Sequence, residues 1–227
     1  YPNTLVGVNI TGENLLKYME WSAGYYNTHK RGDIVVSFNP GIRGYNYDMF
    51  SGLSYDIDVS KDAGNRIVNV MYKGKPLDLS QSFKLALNNY RFGTLLGLKL
   101  VTMDDKYYDS YEQMQDSGRI RDLIIKYTVE QKKGALYPKV DNNWKLIGAT
   151  YNSPFKSQVF DMVIKGDLAI PASEDGRTRN VESLNFHKLY AENKIKADTY
   201  IVQPGDMLST IAEKYNTSWK ELYECNT

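Results

Sequence analysis

GYNYDMFSGLSYDIDVSK, residues 44–61, sets the reading of the whole chain. It opens with Tyr45, Tyr47 and Phe50, turns at Ser51-Gly52, and then alternates Leu53, Tyr55, Ile57 and Val59 with polar residues, the period-two pattern of a half-buried strand. Two meanings are open at this point. The aromatics form either a platform on the lip of a sheet, suited to a flat ligand, or an ordinary Tyr-rich hairpin packing its own core.

Working outward toward the N-terminus, residues 5–10 (LVGVNI) read as a strand, and Thr11-Gly12 opens a helix with Glu13 in its first turn. Leu15, Met19, Ala23 and Tyr26 recur at helical spacing, which predicts an amphipathic helix packed on a sheet. Residues 34–38 read as a further strand, and Asn39-Pro40-Gly41 as a loop.

On the other side, residues 66–72 and 75–79 read as a hairpin about Lys73-Gly74. Residues 83–90 read as a strand ending at Asn88-Asn89-Tyr90-Arg91 and followed by loop. A helix follows Ser117-Gly118 with Ile120, Leu123, Ile124 and Tyr127 on one face, and NNWKLI (142–147) reads as a closing strand with Trp144 inward. Strands crossed by helices over residues 1–150 place the chain in the α+β class, a mixed sheet with packed helices. Residues 151–186 read as a short helix, from Pro154 to Gly166, and a surface extension. Residues 187–198 read as a polar linker, and 199–227 as a separate module.

Composition narrows the function classes. The 227 residues carry 28 Lys+Arg against 27 Asp+Glu, a formal charge of +1, so no global field favours nucleic acid or an anionic membrane. Tyr occurs 19 times, which suits a surface that is apolar on its face and hydrogen-bonding at its tip. The single cysteine, Cys225, forms no disulfide within the chain. The two histidines, His29 and His187, read as surface or core residues, too few for a typical di-metal hydrolytic centre. No apolar run is long enough to cross a bilayer. A chain opening at Tyr1, with no initiator Met or leader, reads as a processed or excised fragment.

Two stretches carry a resemblance. LLKYMEWSAGYYN, YNYDMFSGLSYDIDVSKDAGNRIVNVMYKGKPLD, LALNNYR, SGRIRDLIIKY and NNW, in that order over residues 1–150, resemble the C-terminal substrate-binding domain of the 5′-nucleotidase family, in particular its bacterial 2′,3′-cyclic-nucleotide 2′-phosphodiesterase branch. YIVQPGDMLSTIAEKYNTSWKELYECN resembles a LysM motif, with Gly205-Asp206, Leu208, Ile211-Ala212, Tyr215, Ser218 and Leu222 at that family's spacing. A LysM module is a β-α-α-β unit, so the resemblance implies an incomplete β-α-α tail here.

The first resemblance implies a nucleotide or nucleoside ligand whose base lies between two aromatic rings. Tyr47 matches the first ring position, with Tyr45 beside it, and Leu98 stands where the second ring falls. Either Phe92 supplies a ring from a rearranged loop or the clamp is one-sided. Asn88, Asn89 and Arg91 are candidates for a base edge or phosphate, and Asp104 or Asp105 for a ribose hydroxyl. The catalytic divalent metal ions are implied in a metallophosphoesterase domain upstream, and no catalytic residue here. The second resemblance implies peptidoglycan as a further partner, through Gly205, Asp206, Met207, Leu208 and Ser209, and an extracellular, cell-wall-associated bacterial protein.

Overall fold

The computed structural model describes residues 2–149, 155–196 and 199–226; of residues 224–226 it describes the backbone alone. The boundaries expected at 150/151 and 198/199, Pro154 and the Cys225 side chain lie outside the described residues. In chain order the strands and helices are β1 (Leu5–Thr11), α1 (Gly12–Ala23), β2 (Ser54–Asp58), β3 (Ile67–Tyr72), β4 (Lys75–Pro76), β5 (Ser82–Asn88), α2 (Asn89–Gly97), β6 (Lys106–Asp109), α3 (Ser110–Met114), α4 (Ile120–Lys132), β7 (Trp144–Ile147), α5 (Phe155–Lys165), α6 (Phe186–Ala191), α7 (Leu208–Lys214) and α8 (Trp219–Asn226). One sheet has the order β5-β1-β6 and a second β4-β3-β2-β7, so the class is α+β as the pattern predicts. The chain divides into two compact units. One comprises Tyr1–Trp21, Met49–Tyr55 and Asn69–Lys145, the other Ser22–Asp48, Asp56–Val68 and Leu146–Thr227.

In the first unit β1 is the central strand, antiparallel to both neighbours, with Val8 opposite Leu85 of β5 and Lys106 of β6. Val6, Val8 and Ile10 are all buried on it. The start of α1 is fixed by backbone. The Gly12 and Glu13 amides donate to the Gln81 and Leu79 carbonyls at 2.9 Å, and a Cβ on Gly12 would lie 2.2 Å from the Asp78 carbonyl oxygen. Only glycine permits that approach. Ser110 is fully buried, accepts from the Leu5 amide at 2.8 Å and donates to the Gly118 carbonyl at 2.6 Å, which joins β1 to the turn before α4. α4 forms where the periodicity predicts, but none of its residues is buried, and Ile124 and Tyr127 are exposed.

The alternation in 53–59 holds: Tyr55, Ile57 and Val59 are buried and the residues between them are not. Trp144 stacks on Tyr55 with ring centroids 6.4 Å apart. The Asn143 amide donates to the Phe50 and Leu53 carbonyls at 2.7 and 2.8 Å, closing the turn ahead of β2.

The second unit has a core of Ile34, Val159, Leu168, Leu184, Leu189 and Ile195, with Val35, Met162, Val163 and Phe186 packed against it. Two sequence expectations fail here. Residues 34–38 form no strand. Tyr26 and Phe38 meet in an isolated bridge, the Ile34 amide donates to Leu184 O and the Phe38 amide to Asn180 O. The Asn27 and Asn180 side-chain amides donate to the Val181 and Val36 carbonyls, taking the place of a backbone ladder. Residues 187–196 of the stretch expected as a linker are also structured. They continue α6, capped by Asn185, and place Leu189 and Ile195 in the core. Their polar composition hides a short apolar face.

Candidate functional site

Tyr45 and Tyr47 sit at a tight helical turn, Gly44–Asn46, in which the Asn46 amide donates to Arg43 O at 2.8 Å and the Tyr47 amide to Gly44 O at 3.1 Å. The Arg43 guanidinium donates to Asp175 at 2.7 Å, tying this turn to the 173–178 loop. That bond, helped by Ser173 Oγ and the Arg177 amide, holds the Asp175 carboxyl well below the usual carboxylate range.

The two tyrosines are placed differently. Tyr45 is 72% exposed, whereas Tyr47 is half-buried in an aromatic cluster. Its ring stacks on Tyr25 at 5.2 Å and 26°, and meets Tyr26 edge-on at 5.4 Å. Tyr25 also stacks on Phe38 at 4.8 Å. The Tyr26 hydroxyl donates to the Tyr47 hydroxyl oxygen at 3.1 Å. Tyr25 and Phe38, which pack in one cluster with the expected Tyr47, carry no sequence signal beyond the aromatic pair in SAGYYN, residues 22–27, just past the end of α1.

Residues 88–98 belong to the other compact unit. They form a helix where a loop is expected. The Asn88 side chain accepts from the Arg91 amide at 2.7 Å as the N-cap of α2, and the Asn89 side chain accepts from the Thr4 amide at 3.1 Å. Phe92 is 7% exposed on the inner face of that helix, so it does not present a ring from an open loop. Leu98 is the C-cap and 40% exposed. Arg91 is buried with its guanidinium 4.7 Å from the Trp21 ring centroid and 5.7 Å from that of Tyr90, and it donates to Thr94 Oγ1 at 3.3 Å. Asp104 stands exposed in the short turn Met103–Asp105.

His29 is held below the usual imidazole range by burial, partly offset by Asp33. Among the described residues no group of three or more His, Cys, Asp or Glu is placed to hold a metal ion. The metal ions that the sequence resemblance implies are expected in an upstream domain and not at these residues. Nor is any helix among the described residues long and apolar enough to cross a membrane.

Comparison with known proteins locates these features. Residues 1–101 match the family model for the 5′-nucleotidase, C-terminal domain, and residues 200–227 the model for the LysM domain. The first segment belongs to the 5′-nucleotidase C-terminal domain family. A 2′,3′-cyclic-nucleotide 2′-phosphodiesterase/3′-nucleotidase of Haemophilus influenzae is 35% identical over 67% of this chain, and the chain spans 25% of its length. The trifunctional nucleotide phosphoesterase protein YfkN of Bacillus subtilis is 34% identical over 87% of this chain, which spans 14% of that protein. Among solved structures, a Staphylococcus aureus protein provisionally assigned as a 5′-nucleotidase, in complex with alpha-ketoglutarate, superposes with a TM-score of 0.52 at 26% identity, covering 64% of this chain and 28% of its own. The aromatic turn, β2 and the start of α2 all lie within the matched 5′-nucleotidase segment.

In the LysM segment the described residues form two helices and no strand. Asp206 accepts from the Gln203 amide at 2.7 Å and the Tyr200 hydroxyl at 2.9 Å. Gly205, Met207, Leu208 and Ser209 are exposed around it. Ser218 and Glu221 form a reciprocal pair at the start of α8, the Ser218 amide donating to Glu221 at 2.8 Å and the Glu221 amide to Ser218 Oγ at 3.2 Å. The Gln203 amide first, then Tyr200, depresses the Asp206 pKa; the Ser218 amide chiefly depresses that of Glu221.

A group whose folded pKa lies below its unfolded value stabilises fully above the unfolded value, and that stabilisation is lost as pH falls through the folded one. Acidification is therefore expected to release these two caps below the ordinary carboxylate range. The Gln203 and Ser218 amide resonances, followed by NMR, should titrate with midpoints below those of exposed Asp and Glu. Midpoints at ordinary values would show that the two caps do not persist in solution.

Proposed function

We propose that this chain supplies nucleobase recognition to a longer phosphoesterase, with Tyr47 as the stacking ring and the hydrolytic metal ions held by residues outside it. The observation that carries the reading is the Tyr47 ring, half-buried and stacked on Tyr25 at 5.2 Å, at the turn preceding β2 of a 5′-nucleotidase C-terminal segment. Each base has a flat π-face, so stacking tolerates several nucleotides, at about 1–3 kcal/mol per base. The relatives named as nucleotide phosphoesterases favour a nucleotide over other flat ligands. Leu98 is a helix C-cap and Phe92 is buried within its own unit, so the reading rests on Tyr47. The Arg91, Asn88 and Asn89 side chains, in the other compact unit, already hold α2 and its neighbours in place.

The LysM segment adds attachment to N-acetylglucosamine-containing glycan, through Gly205, Asp206, Met207, Leu208 and Ser209, and places the protein at the bacterial cell wall. A second reading, a wall-anchored scaffold that binds no nucleotide, is favoured by one observation: the helix α2 occupies the stretch where the second ring of a base clamp is expected.

Titration of the chain with adenosine and AMP, followed through tyrosine ring resonances, distinguishes the two. Saturable binding is expected, and Tyr47→Ala should weaken it by roughly 5- to 150-fold, the equivalent of one stacked base. Binding indifferent to that substitution, or none up to about 10 mM, a free energy of under 3 kcal/mol, would favour the scaffold.

A further inference from the structure

We infer that Tyr200 and Asp206 are positioning residues of the 203–209 loop, the Asp206 carboxylate acting on the loop backbone and not on a sugar, with Tyr200 holding it there; this rests on the glycan reading of the LysM segment above. Gln203, Pro204, Gly205 and Asp206 form a tight turn in which the Asp206 amide donates to Gln203 O at 3.1 Å, with Gly205 at φ +92°. Proline second and a left-handed glycine third are the residues that a type II turn requires. The turn is then closed a second time by a side chain. Asp206 Oδ2 accepts from the Gln203 amide at 2.7 Å, so residues 203 and 206 are joined by two bonds, one from each amide.

The same carboxylate oxygen accepts from the Tyr200 hydroxyl at 2.9 Å. Tyr200 is in turn held by its ring: Lys214 Nζ lies 4.7 Å from the ring centroid, and Tyr215 meets the ring edge-on at 5.8 Å and 65°. Lys214 is the last residue of α7 and Tyr215 its C-cap, whereas Asp206 immediately precedes its N-cap, Met207. One side chain therefore ties the loop ahead of α7 to the far end of that helix. At the near end Met207 O accepts from the Ile211 amide at 3.0 Å and the Thr210 hydroxyl at 2.8 Å, and Ile211 and Ala212 are buried behind it. Asp206 is half-buried and already engaged with the loop, while Gly205, Met207, Leu208 and Ser209 around it are exposed. A loop ordered in this way before it meets a glycan loses less freedom on binding. A charged acceptor suits the task, since its hydrogen bonds are roughly twice as strong as neutral ones.

Titration of the full chain with a soluble N-acetylglucosamine pentamer, followed through backbone amide resonances, tests this. Tyr200→Phe removes the hydroxyl alone. It is expected to weaken binding about fivefold, the worth of one hydrogen bond, and to move the Gln203 and Asp206 amide resonances before any sugar is added. The melting midpoint should shift by no more than about 4 °C. Asp206→Ala should weaken binding about tenfold or more, and Asp206→Asn, which still offers an oxygen to the Gln203 amide, should recover part of that loss. The double variant Tyr200→Phe/Asp206→Ala should bind no more weakly than Asp206→Ala, because the hydroxyl acts only through the carboxylate. Pentamer binding that Tyr200→Phe leaves unchanged, or losses that multiply in the double variant, overturn the inference and leave the glycan reading standing. No pentamer binding by the unmutated chain overturns the glycan reading and the inference with it.

Discussion

Replacing Arg66 by Met is expected to lower the thermal unfolding midpoint by roughly 6–12 °C, a loss of about 3 kcal/mol or more for a chain of this size. Arg66 is 1% exposed, among the most deeply buried side chains. Its guanidinium donates to Lys61 O at 2.9 Å, Ala23 O at 2.9 Å, Thr28 Oγ1 at 3.0 Å and Tyr26 O. One of these acceptors, Ala23, is the last residue of α1, where a helix leaves carbonyls without internal partners and presents partial negative charge, and Tyr26 lies three residues beyond it. Methionine fills much of the volume but donates nothing, so the Ala23, Tyr26 and Lys61 carbonyls each lose a donor at once. Leaving an acceptor buried and unsatisfied costs more than the bond itself contributes. Arg66→Lys should recover part of the loss, since an ammonium reaches fewer of the acceptors than a planar guanidinium. Arg121→Met, at an exposed position of α4, is the control and should change the midpoint little. Circular dichroism melts decide the matter, and equal midpoints for Arg66→Met and the control would show that the buried guanidinium is not a structural staple.

Arg66 also illustrates what the sequence conceals. The strand pattern of 53–59 and the apolar stripe of α1 are periodic over several residues, and period alone identifies them. Tyr55, Ile57 and Val59, and Leu15, Met19 and Ala23, are buried as that pattern predicts. A buried arginine after a turn has no periodic signature, because its role depends on carbonyls some 40 residues away in the chain. The 34–38 run, IVVSF, shows a complementary failure. A short apolar run is compatible with a strand or with any other buried chain, and here side-chain amides of Asn27 and Asn180 satisfy the local backbone.

α2 was legible in part. Asn88 is a preferred N-cap residue, and Phe92 and Leu95 are spaced for one helical face. Gly93 and Gly97 within the segment mask it, since glycine lowers helix propensity by about 1 kcal/mol relative to alanine. At the candidate site, Tyr47 is singled out by the resemblance of residues 44–61 alone. The rings that hold it come from residues 25, 26 and 38, and only the fold brings them to it.

A chain cut after Ala149 is expected to lose cooperative folding of residues 22–48 and, with it, nucleoside binding. Residues 1–150 contain the stretches that carry the 5′-nucleotidase resemblance, so by that measure the cut should be harmless. The core of the second unit says otherwise. Of its six buried members, Ile34 alone precedes the cut; Val159, Leu168, Leu184, Leu189 and Ile195 all follow it. Burying a side chain of this kind contributes about 1.5–3 kcal/mol, so the combined loss is on the order of the 5–15 kcal/mol that stabilises a typical domain. The same cut removes the acceptors for the Ile34 and Phe38 amides and for the Asn27 side chain, at Leu184, Asn180 and Val181. Phe38 and Tyr25 would then have no fixed backbone beneath them, and the Tyr47 ring no support. Cutting after Lys196 instead leaves that core complete and should shift the melting midpoint by no more than about 4 °C, the equivalent of 1 kcal/mol. Dye binding to exposed apolar surface and the dispersion of the Tyr25 and Tyr47 ring resonances report the difference directly. A chain cut after Ala149 that melts cooperatively with native tyrosine resonances would show that residues 155–196 are an appendage to the nucleotidase-like fold and not part of what holds its aromatic turn.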